Sequence, residues 1–346
     1  MGLQRLLIGF IKLALIIFKM IISRTPFRIS FFGGGTDYPD WYKKHGGAVL
    51  STTFDKYCYI TCRELPPFFE HKYRVAYSIV ENVKMIDEIK HPAVRAALKE
   101  INFNFGLEIH ADADLPARSG LGSSSSFVVG LVNCLYALKG KRISQASLAN
   151  EAIRLEQDIM RESVGSQDQT AAAYGGFNVI KFGIDKSIKV EPVILTPGRL
   201  TLLNNHLMLF FTGFSRNATD IAKYKIANLE GSSRQLNQMK SMVDSALNIL
   251  SENHDIRGFG ELLHDAWQNK QTLSDKVSTP EINNIYTMAR KAGAIGGKLL
   301  GAGGGGFMLL FVDPKNQEDV KTALANYVHV PFQFENTGSQ IIHYQH

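Results

Sequence analysis

The sequence predicts an α+β protein of two domains. Three observations predict it. Strand-like and helix-like periodicities are mixed along the chain without a regular βαβ alternation. The pattern of elements restarts just after residue 200. The chain has 346 residues, 45% of them apolar, which suits one large domain or two ordinary ones with ample material for a core. We place the boundary near residue 200, giving domains over 20–200 and 201–346. Residues 1–19 form an apolar extension ahead of them.

The elements follow in order. Ile21 to Phe32 alternates and reads as a strand, and Val49 to Cys62 as one or two more. His91 to Ile101 begins a helix with proline near its start. Leu107 to Ala113 is a strand. Ser123 to Leu138 opens on four serines, good N-caps, and continues as an apolar helix. Leu148, Ala152, Leu155 and Ile159 have helical spacing. Asp168 to Tyr174 is a short helix closed by Gly175, and Phe177 to Phe182 a strand. In the second half, Leu207 to Thr212 is a strand and Ala218 to Leu250 a long polar helix. Glu261 to Leu273 and Glu281 to Ala292 are helices. Leu309 to Val312 is a strand, and Val320 to Tyr327 a helix.

Composition excludes several classes. Aromatics at 10% and charged residues at 20% rule out a disordered chain. Three cysteines rule out a disulfide scaffold and fit a reducing, cytoplasmic compartment. Cys58 and Cys62 have no second pair or histidine partner, so they read as core thiols rather than a zinc site. The net charge is +6, but no basic run exceeds two residues, so no nucleic-acid stripe stands out. A mild positive excess equally suits small anionic substrates. Leu6 to Phe18 is apolar except for Lys12, too short to span a bilayer and without a cleavage site after it. It reads as an upstream start or dispensable extension before Met20. An interfacial anchor and a signal are the other readings, and no membrane association is expected.

The 30 glycines are the unusual entry, because they cluster. Three lie at Gly33 to Gly35, two at Gly120 and Gly122, two at Gly175 and Gly176, and a crowd from Gly293 to Gly306. Glycine collects where the backbone takes positive φ or approaches a ligand closely. No Lys-Ser/Thr follows a glycine loop, so there is no P-loop. Gly301, Gly303 and Gly306 match G-x-G-x-x-G, but a strand from Phe307 to Val312 follows where a dinucleotide site needs a helix. Protein-kinase signatures are also missing.

Pro116-Ala-Arg-Ser-Gly-Leu-Gly-Ser-Ser-Ser-Ser126 is the strongest signal. A glycine loop runs into a helix N-terminus, where free N–H groups and the helix dipole attract anions. Serine hydroxyls add donors to phosphate and oxygen ligands for Mg²⁺. The plain alternative is a serine-capped core helix. Glu156, at the edge of an apolar stripe, is either a partly buried salt-bridge partner or a metal ligand. Asp168, in the first turn of its helix, is either a capping residue or a reactive carboxylate. Gly33-Gly34-Gly35-Thr36-Asp37 ends a strand in a tight loop and presents a hydroxyl and a carboxylate, which suits a polyol or is merely a turn.

Three of these motifs occur in the order and spacing of the GHMP kinases, the galactokinase, homoserine, mevalonate and phosphomevalonate kinase superfamily. Arg28 and Asp37 resemble the galactokinase opening, with Gly34-Gly35 where galactokinases carry Glu-His, a departure that argues against galactose. Gly120 to Ser125 looks like the superfamily's phosphate loop, and Lys298 to Gly306 like its C-terminal glycine loop. The resemblance runs from Met20 to the C-terminus. Ser23 to Pro39, with Val164-Gly-Ser-Gln-Asp-Gln169, is similar to bacterial D-glycero-D-manno-heptose 7-phosphate kinases. Those enzymes phosphorylate the anomeric C1 hydroxyl on the route to GDP-heptose.

The resemblance implies a ribosomal protein S5 domain 2-like N-terminal domain and a ferredoxin-like C-terminal domain. It implies ATP and Mg²⁺ as cofactors and a sugar phosphate as substrate, with the protein a monomer or homodimer. ATP would lie on Pro116, Gly120, Leu121, Gly122, Ser123, Ser124 and Ser125, with Tyr77 and Ser78 near the nucleotide. Ser124 and Glu156 would hold Mg²⁺. Asp168 would accept the proton of the attacking hydroxyl or orient it, and Arg28 would stabilise Asp168 as a carboxylate and offset developing phosphoryl charge. Gly34, Gly35, Thr36, Asp37 and the Gly303-Gly304 backbone would grip the sugar. Arg216, then Arg24, are the candidates for its distal phosphate, although either is equally a solvated surface arginine. A kinase for another sugar such as fucose, or a non-catalytic sugar sensor on the same fold, are the rival readings.

Overall fold

β1 (Met20–Phe32) and β2 (Gly47–Glu64) form an antiparallel pair in register from Met20 opposite Arg63 to Phe32 opposite Leu50. The structure, a computed structural model, describes residues 19–103, 105–213, 230–251 and 254–345. β2 is a single strand of 18 residues. Its first half pairs with β6 (Phe177–Phe182), and its second half with β5 (Leu107–Ala113). β3 (Tyr73–Ala76) runs parallel to β5 and carries β4 (Val80–Val83) at the edge, while β7 (Ile188–Pro192) extends β6. β5, β6 and the helix Ser123–Leu138 have the bounds their sequence patterns predict.

A second, four-stranded antiparallel sheet holds β8 (Leu207–Gly213), β9 (Ala294–Leu299), β10 (Gly306–Val312) and β11 (Val328–His329), in the order β11-β8-β10-β9. Helices Arg257–Gln271 and Pro280–Lys291 pack on it. The chain then returns to the first sheet. β12 (Phe334–Glu335) pairs with β2, and β13 (Gln340–Gln345) with β1. A boundary at residue 200 with everything after it in one domain is therefore corrected: the last strands complete the N-terminal sheet. Two-residue β12 and exposed β13 carry too little periodicity to announce this pairing.

β1 is where the halves meet. Residues Thr25 to Phe32 are buried without alternation, because both faces of the strand are covered. The helix Ser123–Leu138 packs on β1 and β2. Phe259, from the Arg257–Gln271 helix, stands edge-on to Phe31 at 5.4 Å and Phe32 at 5.1 Å. Phe31 and Phe32 thus join the two halves in one continuous core.

The helix Gln145–Ile153 continues into a π-helical turn, Arg154–Ile159. The regular spacing predicted here breaks at that turn. Leu148, Ala152 and Leu155 are buried as expected, but Ile159 is 40% exposed and Glu156 is 1% exposed. The extra residue in the turn rotates the carboxylate inward instead of the isoleucine. Turns of this kind recur at functional sites. Of the predicted long polar helix, Ser233–Leu250 is observed, and 218–229 lie outside the described residues. So do Leu6 to Phe18. Among the described residues no helix is long and apolar enough to cross a membrane.

Candidate active site

The loop from Pro116 to Gly122 joins β5 to the Ser123–Leu138 helix. Gly120 and Gly122 take φ of 85° and 75°. Gly120 also needs to lack a side chain: a Cβ there would lie 2.6 Å from the Leu300 carbonyl oxygen, and one on Gly301 would lie 2.4 Å from Gly120 Cα. The two glycine loops touch backbone to backbone. Consequently the C-terminal loop closes against the N-terminus of the serine helix, whose amides and dipole favour anions.

Arg28, on β1 and 4% exposed, organises this junction. Its Nε donates to Asp168 Oδ1 and its Nη2 to Oδ2, both at 2.8 Å. Its Nη1 donates to the Gly120 carbonyl at 2.8 Å, and its backbone N–H to that of Leu121 at 3.1 Å. Asp168 stands in the first turn of the Gln167–Tyr174 helix. A Cβ placed on Gly122 would be 3.3 Å from its Oδ2, so the carboxylate abuts the glycine loop.

Glu156 lies behind the serines. Ser125 Oγ donates to its Oε2 at 2.7 Å, Ser124 Oγ to Oε1 at 3.3 Å, and Gln169 Nε2 bonds Oε2 closely. No cationic side chain pairs with it among the described residues. Burial, opposed by the Ser125 and Gln169 bonds and aided by the charge of Asp168, pushes its carboxyl up to about 7. A buried carboxylate facing serine hydroxyls at an anion-binding helix start is a hard-oxygen donor set that fits Mg²⁺ shared with phosphate. Among the described residues no three acidic, histidine or cysteine side chains are placed to hold a metal ion by themselves, so the phosphates would supply the rest of the shell.

A cavity of about 300 Å³ opens beside Asp168 and the loop. Gly34, Gly35, Asp37, Gly165, Lys270, Lys298, Gly301 and Ala302 face it. Leu236, Met239 and Leu273 add apolar surface. Asp37 Oδ1 accepts from the Gly35 N–H at 2.8 Å. Burial, then the charge of Asp168, pushes the Asp37 carboxyl up to about 6. Gly165 is required beside it, since a Cβ there would sit 1.8 Å from Asp37 Oδ2.

Several expected residues turn elsewhere. Thr36 is fully buried, its hydroxyl 2.8 Å from the Gly33 carbonyl and 3.0 Å from that of Ala48, so it ties the turn rather than facing the cavity. Gly303 and Gly304 pack on Val277, and Gly301 and Ala302 face the cavity in their place. Arg24 lies over the Tyr57 ring at 4.5 Å and donates to Gln340 Oε1, away from the cavity. Tyr77 donates to Glu81 at 3.0 Å and Ser78 is exposed, and neither lines it. Pro116 accepts from Ser119 Oγ, Leu121 is core, and Ser125 reaches Glu156 rather than the cavity. Ser123 and Ser124 do line it. Arg216 lies outside the described residues.

Sequence reasoning missed Arg118, Gly165, Gln169, Lys270 and Lys298. Lys270 Nζ donates to the carbonyls of Leu299 and Gly301, each at 2.7 Å, and Lys298 Nζ to that of Phe31 at 2.7 Å. Gly165 and Gln169 flank Asp168 in a quoted motif, and Lys298 opens another, so their positions were visible although their roles were not. Lys270 stands on a helix face with no local signal.

Comparison with known proteins identifies both halves of the chain. The GHMP kinases N terminal domain matches residues 87–176 and the GHMP kinases C terminal domain residues 245–330. A D-glycero-alpha-D-manno-heptose 7-phosphate kinase of Campylobacter jejuni is 30% identical over 88% of this chain and 93% of that protein. A bifunctional fucokinase/GDP-fucose pyrophosphorylase of Arabidopsis thaliana is 26% identical over 87% of this chain and 31% of that protein. The crystal structure of a D-glycero-D-manno-heptose 1-phosphate kinase from Bacteroides thetaiotaomicron shares the fold, with a TM-score of 0.77 at 24% identity over 93% of this chain and 99% of that one. With both domains matched and a 30% identical relative spanning nearly its whole length, the chain belongs to the GHMP kinases, phosphotransferases that move a phosphoryl group from ATP to an alcohol.

Proposed function

We propose that the protein phosphorylates the anomeric C1 hydroxyl of D-glycero-D-manno-heptose 7-phosphate with ATP, giving the 1,7-bisphosphate on the route to GDP-heptose. The observation that carries the reading is the Asp168 carboxylate, forked by Arg28 and set against Gly122 of the phosphate loop. An acceptor hydroxyl on Asp168 would face a γ-phosphate held by the loop amides. Its oxygen attacks phosphorus, the bond to the β-phosphate oxygen breaks, ADP leaves, and the hydroxyl proton passes to Asp168. Phosphoryl transfer needs chiefly positioning and charge neutralisation, which a small set of fixed groups supplies. When bound at Ser124 and Glu156, Mg²⁺ would neutralise the phosphate oxygens.

Asp37 and the Gly34–Gly35 backbone would take the sugar hydroxyls. Lys270 and Lys298, held on backbone carbonyls at the cavity wall, add positive charge that favours an anionic acceptor, and Arg216 stays the candidate for its distal phosphate. The heptose assignment draws on the named Campylobacter jejuni relative, and the fucokinase similarity favours fucose as the second reading. The test is ADP release with heptose 7-phosphate, mannose 6-phosphate, fucose and galactose. Turnover on heptose 7-phosphate well above the others is expected. Turnover on fucose or galactose alone would remove the anionic-substrate reading.

A further inference from the structure

Arg118 has a φ of 58°. A side chain with a Cβ is strained in that left-handed region. Four described residues other than glycine have positive φ, namely Asn102, Arg118, Arg161 and Lys186, and of these only Arg118 lines the cavity. Its backbone N–H donates to Ser123 Oγ at 3.0 Å, which fixes the strained residue onto the first turn of the serine helix. Its side chain is exposed to the cavity and makes no hydrogen bond or ion pair among the described residues.

The other cations of the cavity are engaged. Arg28 forks Asp168, while Lys270 and Lys298 hold backbone carbonyls. Asp37, Glu162 and Asp168 bring carboxylates to the same cavity, against which a polyphosphate would be repelled. Backbone strain that persists at a ligand-facing loop points to use of the residue held there. From these observations we infer that Arg118 is a phosphate-contacting residue. Its guanidinium folds over the nucleotide phosphates carried by the loop amides, as a planar fork suited to phosphate oxygens. The inference rests on the reading of this loop as the ATP site.

The backbone conformation supplies the control. Arg118→Gly removes the guanidinium and relieves the strained φ, so it separates the side chain's charge from the loop's shape. Calorimetric binding of ADP and of AMP is measured for the wild type, Arg118→Gly and Arg118→Lys, with Arg118→Asn as a second variant that tolerates left-handed backbone. The glycine and asparagine variants are expected to lose about ten- to hundredfold in ADP affinity, the range for a charge-assisted bond. AMP affinity falls less, lysine is intermediate, and the thermal midpoint of the glycine variant equals or exceeds the wild type's. ADP binding by Arg118→Gly as tight as the wild type's would overturn the role, as would equal losses for ADP and AMP. A wild type that binds no ADP would instead remove the nucleotide reading itself, and this role with it.

Discussion

Arg28 and Asp168 face each other in a two-bond fork, 2.8 Å on each side, while the remaining guanidinium nitrogen holds the Gly120 carbonyl at 2.8 Å. One buried arginine therefore ties the Asp168 carboxylate to the glycine loop at Gly120. Asp168→Asn keeps the shape but loses the charge and the proton acceptor. It is expected to lower kcat by about 10²- to 10⁴-fold, the usual contribution of a positioned base, with ADP affinity retained. Turnover within tenfold of wild type would refute the base assignment. Arg28→Lys keeps a charge but cannot make the fork and the loop bond together, so kcat and ADP affinity should fall jointly.

Glu156 is separable from that pair. Glu156→Gln and Ser124→Ala should raise the Mg²⁺ concentration needed for half-maximal turnover, with sugar KM at saturating Mg²⁺ little changed. Gln169→Ala, which removes an amide held against Glu156, should do the same by roughly 10- to 100-fold, as losses of groups that orient metal ligands do. Mg²⁺ titrations that superimpose on the wild type's would exclude Ser124 and Glu156 as its ligands.

The return of the chain to its first sheet makes the C-terminus part of the N-terminal domain. Phe332 packs edge-on to Phe54 at 5.5 Å, and Phe334 to Phe31 at 6.3 Å. Gly175 presses on Thr337 and Gly338 so closely that a Cβ there would meet the Thr337 carbonyl carbon at 2.0 Å. A chain cut after Val330 loses these contacts and leaves β1 as an open edge. Losing a buried phenylalanine alone costs roughly 3–5 kcal/mol. The shortened chain should melt far lower or aggregate. An unchanged thermal midpoint would show that β12 and β13 are dispensable.

This return was illegible in the sequence for a physical reason. Strand pairing between residues about 320 apart leaves no local period, and Gln340–Gln345 is exposed along most of its length, so no apolar alternation marks it. The helix Ser123–Leu138 and strands β5 and β6 were legible because burial imposes composition directly. The site divides the same way. Arg28, Asp37, the 120–124 loop and Asp168 sit in short motifs whose glycines announce them. Ile159 misled, since a π turn is invisible to a 3.6-residue period. Thr36 misled because a hydroxyl in a glycine turn serves backbone and ligand equally well. Lys270 reaches the cavity only through tertiary packing.

Gly165 tests how closely the Asp37 carboxylate is held, which the proposed function assigns to the sugar. A methyl group at this position would occupy the space of Asp37 Oδ2, at 1.8 Å. The Ser166 N–H also donates to the Asp37 carbonyl at 2.9 Å, so the two loops cannot part freely. Gly165→Ala should therefore raise sugar KM by at least tenfold while leaving ADP affinity near wild type. A proportionate loss of ADP affinity would mean that the whole junction, rather than Asp37, had moved.

Asp37 also sets a pH dependence whose sign can be worked out. Burial and the neighbouring Asp168 raise its folded pKa from 3.8 to about 6. Between pH 4 and 6 the folded state then binds more protons than the unfolded one, so stability falls as pH rises through that window. The difference of about two units amounts to at most roughly 3 kcal/mol. Asp37→Asn has no such proton to lose. Its thermal midpoint should gain on the wild type's from pH 4 to 6 and hold a constant lead above that. Binding runs the other way, because the ionised carboxylate is the better acceptor for sugar hydroxyls. Wild-type sugar KM should fall as pH rises through about 6, and that inflection should move lower in Asp168→Asn, where the neighbouring charge is gone. A midpoint difference that does not change with pH would mean that Asp37 titrates as an ordinary carboxyl, and that Asp168 does not act on it.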